Sequence, residues 1–451
     1  MKFIVVGTSH AGYEATETLL KEHPDAEVHL YERGTTASFL SCGIQSYLEG
    51  VSENADQLHY ATADSFEKQG VIVHMNSDVV GIDPTGKTIT VKTEDGESDE
   101  SYDKLFLSPG AKPIELPVPG TDLENAFYVR GRNWAEKIKA RMPHSKKAVV
   151  VGGGYIGIEV VEAFAKAGIE VTVIDLLDRV LKTYLDKEFT DVLEEEMRQQ
   201  GINVRTGEMV KEIVGENGKV KKVITNKGEY EADTVILSAG IRPNTKWLEG
   251  ILDLDKDGTV AVNEYMETSA KDIFAAGDAV KIPFAPTNGK KLLALAPNAR
   301  RQAVIAAKNM GGKKMEMPSV TGTSGLSLFT HKFASTGVKD IDSDTVDAEV
   351  ISKYVEEKLR PKFMGDDETV LMKVYFEKDS QRIVGAQLMS TYDITPAINT
   401  LSVAISAGWT LEQLAFADFF FQPEFNRPWN FLNVLAQQAM GETYGSDKML
   451  F

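Results

Sequence analysis

Apolar residues in the early part of the chain fall in short continuous runs. Phe3-Ile4-Val5-Val6 is one such run, and Ala148-Val149-Val150-Val151 repeats it later in the chain. Runs apolar on both faces predict strands buried inside a parallel sheet. Each run leads into a glycine-rich turn and then a helical stretch, to about Glu22 in the first copy and about Ala167 in the second. A second strand follows, Glu27–Tyr31 or Glu170–Ile174, and each unit closes on an acid, Glu32 or Asp175. Residues 3–32 and 147–175 are therefore two copies of one strand–turn–helix–strand plan.

The turns give the plan its chemistry. The first reads Gly7-Thr8-Ser9-His10-Ala11-Gly12 and the second Gly152-Gly153-Gly154-Tyr155-Ile156-Gly157. Glycines here permit a tight turn and close backbone approach to a pyrophosphate seated on the helix N-terminus. The acid about twenty residues on accepts from a ribose hydroxyl. Two complete units predict two dinucleotide sites. Ser9 stands where the pattern has its second glycine, a small departure. Asp175 is followed by Leu176 and Leu177, with no arginine to hold a 2′-phosphate, which favours NADH over NADPH.

Hairpin-like segments lie between the copies, such as Val71–Asn76 and Lys87–Thr93, leading to Leu105-Phe106-Leu107-Ser108-Pro109-Gly110. After the second copy the arrangement recurs, with Lys219–Thr225 and then Thr234–Leu237 ending in Ala239-Gly240. The segment from Thr268 delivers Gly277-Asp278 at the end of a further strand, where ligands bind in open α/β sheets or where an ordinary turn would suffice. From about residue 316 the pattern changes. Val370–Phe376 and Arg382–Ser390 read as antiparallel strands, Ile394–Ser406 as an apolar helix, and Phe419-Phe420-Phe421 precedes Gln422-Pro423. This third region either only packs or forms a subunit interface.

The chain has 451 residues, room for about three domains. Its net charge of −18 disfavours nucleic acid and anionic membrane surfaces as partners. The N-terminus enters a strand directly and no apolar run approaches membrane-spanning length, so a cytoplasmic protein is expected. Cys42 is the only cysteine, which excludes an intramolecular disulfide and a cysteine-cluster metal site but leaves single-thiol chemistry open. No metal is expected.

Together these segments resemble the pyridine-nucleotide disulfide oxidoreductase superfamily over nearly the whole chain. The resemblance implies an α/β fold with two Rossmann-like nucleotide-binding domains, glutathione-reductase-like, plus an α+β C-terminal interface domain. It implies a discontinuous FAD-binding domain at 1–112 and 243–315, an NADH-binding domain at 113–242, and a dimerisation domain at 316–451. FAD would be held by Gly7, Ser9, His10, Ala11, Gly12, Glu32, Arg33, Ser41, Cys42, Gly110, Asp278, Leu295 and Ala296. NADH would be held by Gly152, Gly154, Tyr155, Ile156, Gly157, Glu159, Asp175 and Gly240. Tyr155 resembles the aromatic that covers the flavin face, and Glu159 the acid near the flavin–nicotinamide junction. A homodimer or homotetramer is implied.

Disulfide reductases of the superfamily need a CxxxxC pair and a C-terminal His-Glu pair, and neither is present. Ser38-Phe39-Leu40-Ser41-Cys42-Gly43 instead resembles the single-cysteine branch: NADH peroxidases, water-forming NADH oxidases and CoA-disulfide reductases. Ser9-His10-Ala11-Gly12-Tyr13-Glu14-Ala15 is similar to the peroxidase form, in which the glutamate pairs with an arginine from the Pro297-Asn298-Ala299-Arg300 region. Gln45 and Tyr47-Leu48-Glu49-Gly50 are also more similar to peroxidases, and Ser41 argues against CoA-disulfide reductases.

Cys42 reads as the start of a helix, whose N-terminal field lowers a thiol pKa. The expected chemistry is attack of the Cys42 thiolate on peroxide to give sulfenic acid, with electrons from NADH by way of FAD restoring the thiolate. His10 would polarise peroxide or protonate the leaving oxygen, oriented by Glu14 and Arg300. The plainer alternatives are a buried inert thiol at Cys42, a phosphate-binding turn residue at His10 and solvated helix charges at Glu14 and Arg300. Water-forming NADH oxidase is the same-class alternative, and a flavin- and NADH-binding redox sensor or interaction protein the different-class one.

Overall fold

The fold is described from a computed structural model, which describes residues 1–365, 368–442 and 444. Residues 445–451, the end of the expected third domain, lie outside the described residues.

Both buried runs become the centre of a five-stranded sheet with the same order. In the first, Lys2–Val6 lies between Glu27–Tyr31 and Lys104–Leu107, all parallel. In the second, Lys147–Val151 lies between Glu170–Ile174 and Thr234–Leu237, again parallel. The outer strands are Ile72–His74 and Ile273–Ala275 in the first sheet, Asn203–Arg205 and Ala126–Tyr128 in the second. The chain thus leaves the first sheet, builds the second, and returns to add Ile273–Ala275 with Gly277-Asp278 at its end. Phe3, Ile4 and Val5, and their counterparts Val149 and Val150, are completely buried, as runs apolar on both faces require.

The segment Val71–Asn76, read as hairpin-like, is not a hairpin. Ile72–His74 pairs in parallel with His29–Tyr31 as an edge strand. An edge strand covered on one side keeps polar residues, and that composition imitates a hairpin arm. The expected Lys87–Thr93 segment gives the strand Thr88–Thr93, the middle of a three-stranded antiparallel sheet beside the first core, and Lys219–Thr225 takes the same place beside the second.

The third region is a five-stranded antiparallel sheet in which Thr369–Glu377 and Ile383–Ser390 are adjacent, backed by the helices Ala397–Ser406, Leu411–Ala415 and Phe431–Ala439. The apolar helix expected from Ile394 begins at Ala397 because Pro396 holds the N-cap and restricts the residue before it. Buried polar groups tie this sheet to the second nucleotide domain. The Lys373 ammonium lies 3.2, 3.1 and 3.0 Å from Asp186, Glu188 and Asp340, and the Tyr375 hydroxyl donates to Asp186. No helix among the described residues is long and apolar enough to cross a membrane.

Candidate active site

The two turns are built alike at the C-terminal ends of the central strands. Gly7 and Gly152 adopt φ of +95° and +106°, which favours glycine. A Cβ at Gly12 would lie 1.7 Å from the Gly7 carbonyl oxygen, and one at Gly157 would lie 1.9 Å from that of Gly152. These glycines let each helix press against its own turn. A serine braces each turn from the neighbouring strand end: Ser108 donates to the Val6 carbonyl, and Ser238 to those of Val151 and Gly152. The spacings Ser108-Pro109-Gly110 and Ser238-Ala239-Gly240 carried that parallel in the sequence.

The second turn residue points its amide at the closing acid. Thr8 donates to Glu32 through its N–H at 3.3 Å and its hydroxyl at 2.6 Å, and Gly34 N–H donates to the other oxygen at 2.8 Å. Gly153 N–H donates to Asp175 at 2.6 Å and Leu177 N–H at 2.7 Å. Burial pushes the Asp175 carboxyl up, and these two amides oppose the rise. Arg33 is exposed beside Glu32.

The helices that follow, His10–Glu22 and Tyr155–Lys166, have caps, Ser9 and Gly154, that make no side-chain hydrogen bond, and their first turns hold no acid. Their N-terminal amides are not spent on their own caps and suit an anionic pyrophosphate. This cradle and its acid fit a dinucleotide in each domain. Bound there, FAD and NADH would supply hydride and electron transfer.

Around the first turn the structure gathers residues from distant segments. A Cβ at Gly277 would touch Ala11, which sets Asp278 beside the helix start. Arg130 pairs with Asp278 at 3.1 Å and borders Gly110, and the adjacent Gly131 N–H donates to Ser41 Oγ at 3.3 Å. Leu295 caps the helix Ala296–Met310, which packs beside His10–Glu22. Arg300 on that helix reaches Glu14 at 2.8 Å, so the expected pair is formed. Arg130 was missed in sequence: an isolated arginine before a helix gives no signal of its own.

Cys42 lies in a single 3₁₀ turn, Ser41–Gly43, that leads directly into the helix Ile44–Glu49, whose cap is Gly43. The expected lowering of the thiol pKa is reversed in direction. Burial pushes the thiol up, with Glu159 and then Asp278 adding to the rise and Arg130 opposing it. The residue is reachable by solvent, but protein packed around its sulfur removes part of the water that would stabilise a thiolate.

Glu159 is itself pushed up to about 7, by burial and then by Glu162. Glu162 is buried and joins three parts of the molecule. It accepts from Gln45 Nε2 at 2.8 Å and from Phe329 N–H at 2.8 Å, and it pairs with Lys166 at 2.9 Å. Gln45 is thereby joined to the helix that carries Tyr155 and Glu159. Tyr155 stacks on Tyr184 with ring centres 3.8 Å apart and hydrogen bonds Ser324 of the third region at 3.1 Å. Ile156 and Gly240 are exposed at the same strand ends.

His10 is held below its usual range, by burial first and then by Arg300, with Asp278 opposing. Its Nδ1 is buried without a hydrogen-bond partner among the described residues. A neutral imidazole of this kind can donate one hydrogen bond to an oxygen at the site, and is a poor source of a proton.

Comparisons with known proteins agree with this geometry. Residues 1–303 match the family described as pyridine nucleotide-disulphide oxidoreductase, and residues 325–430 match its dimerisation domain. The chain is 47% identical over 443 residues to an NADH oxidase of Enterococcus faecalis, covering 98% of this chain and 99% of that one. It is 31% identical to an NAD(P)H coenzyme A polysulfide/persulfide reductase of Pyrococcus horikoshii, covering 97% and 98%. The solved structure of the water-forming NADH oxidase from Lactobacillus brevis bound to NADH superposes with a TM-score of 0.95 at 39% identity, covering 98% of each chain. With both nucleotide cradles, the single-cysteine turn and the matched dimerisation domain in place, the chain belongs to the pyridine nucleotide-disulphide oxidoreductase family.

Proposed function

We propose that this flavoprotein oxidoreductase uses NADH, through FAD, to reduce hydrogen peroxide to water at Cys42. The observation that carries the choice of oxidant is the Glu14–Arg300 ion pair beside His10, the feature in which the sequence resembles peroxidases. In this reading FAD lies in the discontinuous domain 1–112 and 243–315 and NADH in 113–242, while 316–451 makes the homodimer. Phe416, Phe420, Phe421 and Phe425, all exposed on one chain, are the apolar surface such an interface would cover.

The Cys42 thiolate attacks one peroxide oxygen. An S–O bond forms, the O–O bond breaks, and the departing oxygen leaves as water. Neutral His10 donates to the peroxide oxygen, and burial, then Arg300 fixed by Glu14, keeps the imidazole from charging. With no second cysteine to trap it, the sulfenate stays available for reduction. Overall, NADH, a proton and hydrogen peroxide give NAD⁺ and two waters.

The names of the relatives favour a second reading, reduction of dioxygen to water, with Cys42 clearing the peroxide formed on the way. One assay separates the two. NADH loss is followed anaerobically with hydrogen peroxide and aerobically without it. Fast loss only in the first supports the peroxidase, and fast loss in the second, at two NADH per dioxygen, makes the protein an oxidase. Cys42→Ser is expected to abolish peroxide turnover while flavin and hydride uptake persist, and undiminished turnover would refute the sulfenate cycle.

A further inference from the structure

Tyr60 has no place in the scheme so far, yet it touches His10, Tyr13 and Arg300. The stretch leading to Cys42 pairs with 58–60 in a short antiparallel bridge. Leu40 N–H donates to the Leu58 carbonyl at 2.8 Å, Tyr60 N–H donates to that of Ser38 at 3.2 Å, and Phe39 faces His59. This brings the Tyr60 ring onto His10, with ring centres 4.9 Å apart and planes within 8° of parallel. Tyr13 meets it edge-on at 5.3 Å, and the Arg300 guanidinium lies 5.1 Å from its centre and 4.8 Å from that of Tyr13. His10, Tyr13 and Arg300 are thus gathered around one phenol, and Glu14 holds Arg300 in turn.

The hydroxyl of that phenol is buried; the Ser9 hydroxyl can donate to its oxygen, and no acceptor for its own proton stands among the described residues. A buried donor without a partner costs about 1–3 kcal/mol, so a fold that keeps one usually has a use for it. Burial pushes Tyr60 up to about 12. The Ser9 hydroxyl and Arg300 pull it down, and a charge on Cys42 raises it further. The phenol therefore stays protonated and remains a donor.

We propose that Tyr60 is a further residue of the Cys42 site, its ring fixing the plane of the His10 imidazole and its hydroxyl donating a hydrogen bond to the oxygen carried by Cys42. The inference rests on Cys42 acquiring an oxygen, as it does in both readings of the oxidant. In that step thiolate and hydrogen peroxide become sulfenate and water. Sulfur loses two electrons to the O–O bond, and the proton of the transferred oxygen leaves with the water. Tyr60 and His10 give up no proton; as two neutral donors they hold the sulfenate oxygen and make it a poorer nucleophile towards a second peroxide.

The test uses the FAD-loaded enzyme and Tyr60→Phe, which keeps the ring and removes the hydroxyl. The expected result is a loss in kcat/KM for hydrogen peroxide of about ten- to a hundredfold, with flavin content, thermal midpoint and the rate of flavin reduction by NADH unchanged. Excess peroxide should also drive Cys42 to sulfinic acid faster than in the parent, read by intact mass, which a merely structural residue would not change. Parent values for both kcat/KM and overoxidation would overturn the proposal. So would loss of flavin from Tyr60→Phe, which would assign the hydroxyl to the cofactor. If Cys42→Ser also turned over peroxide, the underlying reading would fail; a dead Cys42→Ser beside a parent-like Tyr60→Phe would sink the Tyr60 proposal alone.

Discussion

Replacing one glycine in each turn tests which nucleotide each domain takes. In Gly12→Ala the new methyl would lie 1.7 Å from the Gly7 carbonyl oxygen and 3.2 Å from Ser108 Oγ. The carbonyl belongs to backbone at the end of a central strand, with Gly7 N–H held by the Tyr31 carbonyl at 2.8 Å. The helix start must therefore retreat, by roughly 1.5 Å. A hydrogen bond from a helix amide to an anion does not survive such a shift. One lost bond to a charged group is worth about 1.5–3 kcal/mol, which weakens flavin binding by roughly ten- to 150-fold. Gly157→Ala makes the same collision in the second domain, 1.9 Å from Gly152 O and 2.7 Å from Ser238 Oγ, and the same loss is expected for NADH. The assay is the flavin-to-protein absorbance ratio after desalting, together with an NADH titration of whatever flavoenzyme remains. Gly12→Ala should lose flavin and Gly157→Ala should keep it while binding NADH weakly. The reverse pattern would mean the two sites are exchanged, and two unaffected variants would refute the seating of either nucleotide on these helices.

Other expectations follow from the same contacts. Asp175→Ala should weaken NADH binding without emptying the flavin site, as read by fluorescence titration. Glu159→Gln removes the anion that, after burial, most raises the Cys42 thiol, so alkylation of Cys42 should speed up at a given pH. A slower or unchanged rate would show that Glu159 is already neutral there. Glu162→Ala leaves Phe329 N–H without its acceptor, while Gln45 Nε2 keeps Glu49, and should cost about 1–3 kcal/mol in denaturant unfolding. Acid should destabilise the first domain through His74. Its ring nitrogen lies 3.0 Å from that of His29, Glu27 takes the far side of His29, and Glu100, Lys2 and Tyr31 surround the pair. Burial and then His29 hold His74 below its usual range, so the unfolded chain binds more protons. That stability is complete above the ordinary histidine pKa, about 6.5, and falls as the pH drops below it. His74→Gln should flatten the thermal midpoint between about pH 7 and 5.

Local pattern determined much of this protein. Four-residue apolar runs, the glycines after them and the acids that close each unit specify strand, turn, helix and parallel partner from short-range sterics and burial. The doubled fingerprint was therefore legible, as were Glu32, Asp175 and the strand ending at Gly277-Asp278. The Glu14–Arg300 pair could be expected only through the family resemblance, because nothing local joins residues so far apart. Other features depend on what lies across from them in space. Whether a short polar segment is a hairpin arm or an edge strand is settled by its neighbour, and Ile72–His74 has one in His29–Tyr31. Whether Cys42 carries a low or a high thiol pKa is settled by burial and by Glu159, Asp278 and Arg130, which come from three remote segments. Tyr60 gave no motif at all. Its stacking on His10 comes from the 38–40 and 58–60 segments pairing beside the first turn. Backbone sterics and hydrophobic period act within a few residues and can be read along a chain, whereas electrostatic and packing partners are chosen by the closed fold.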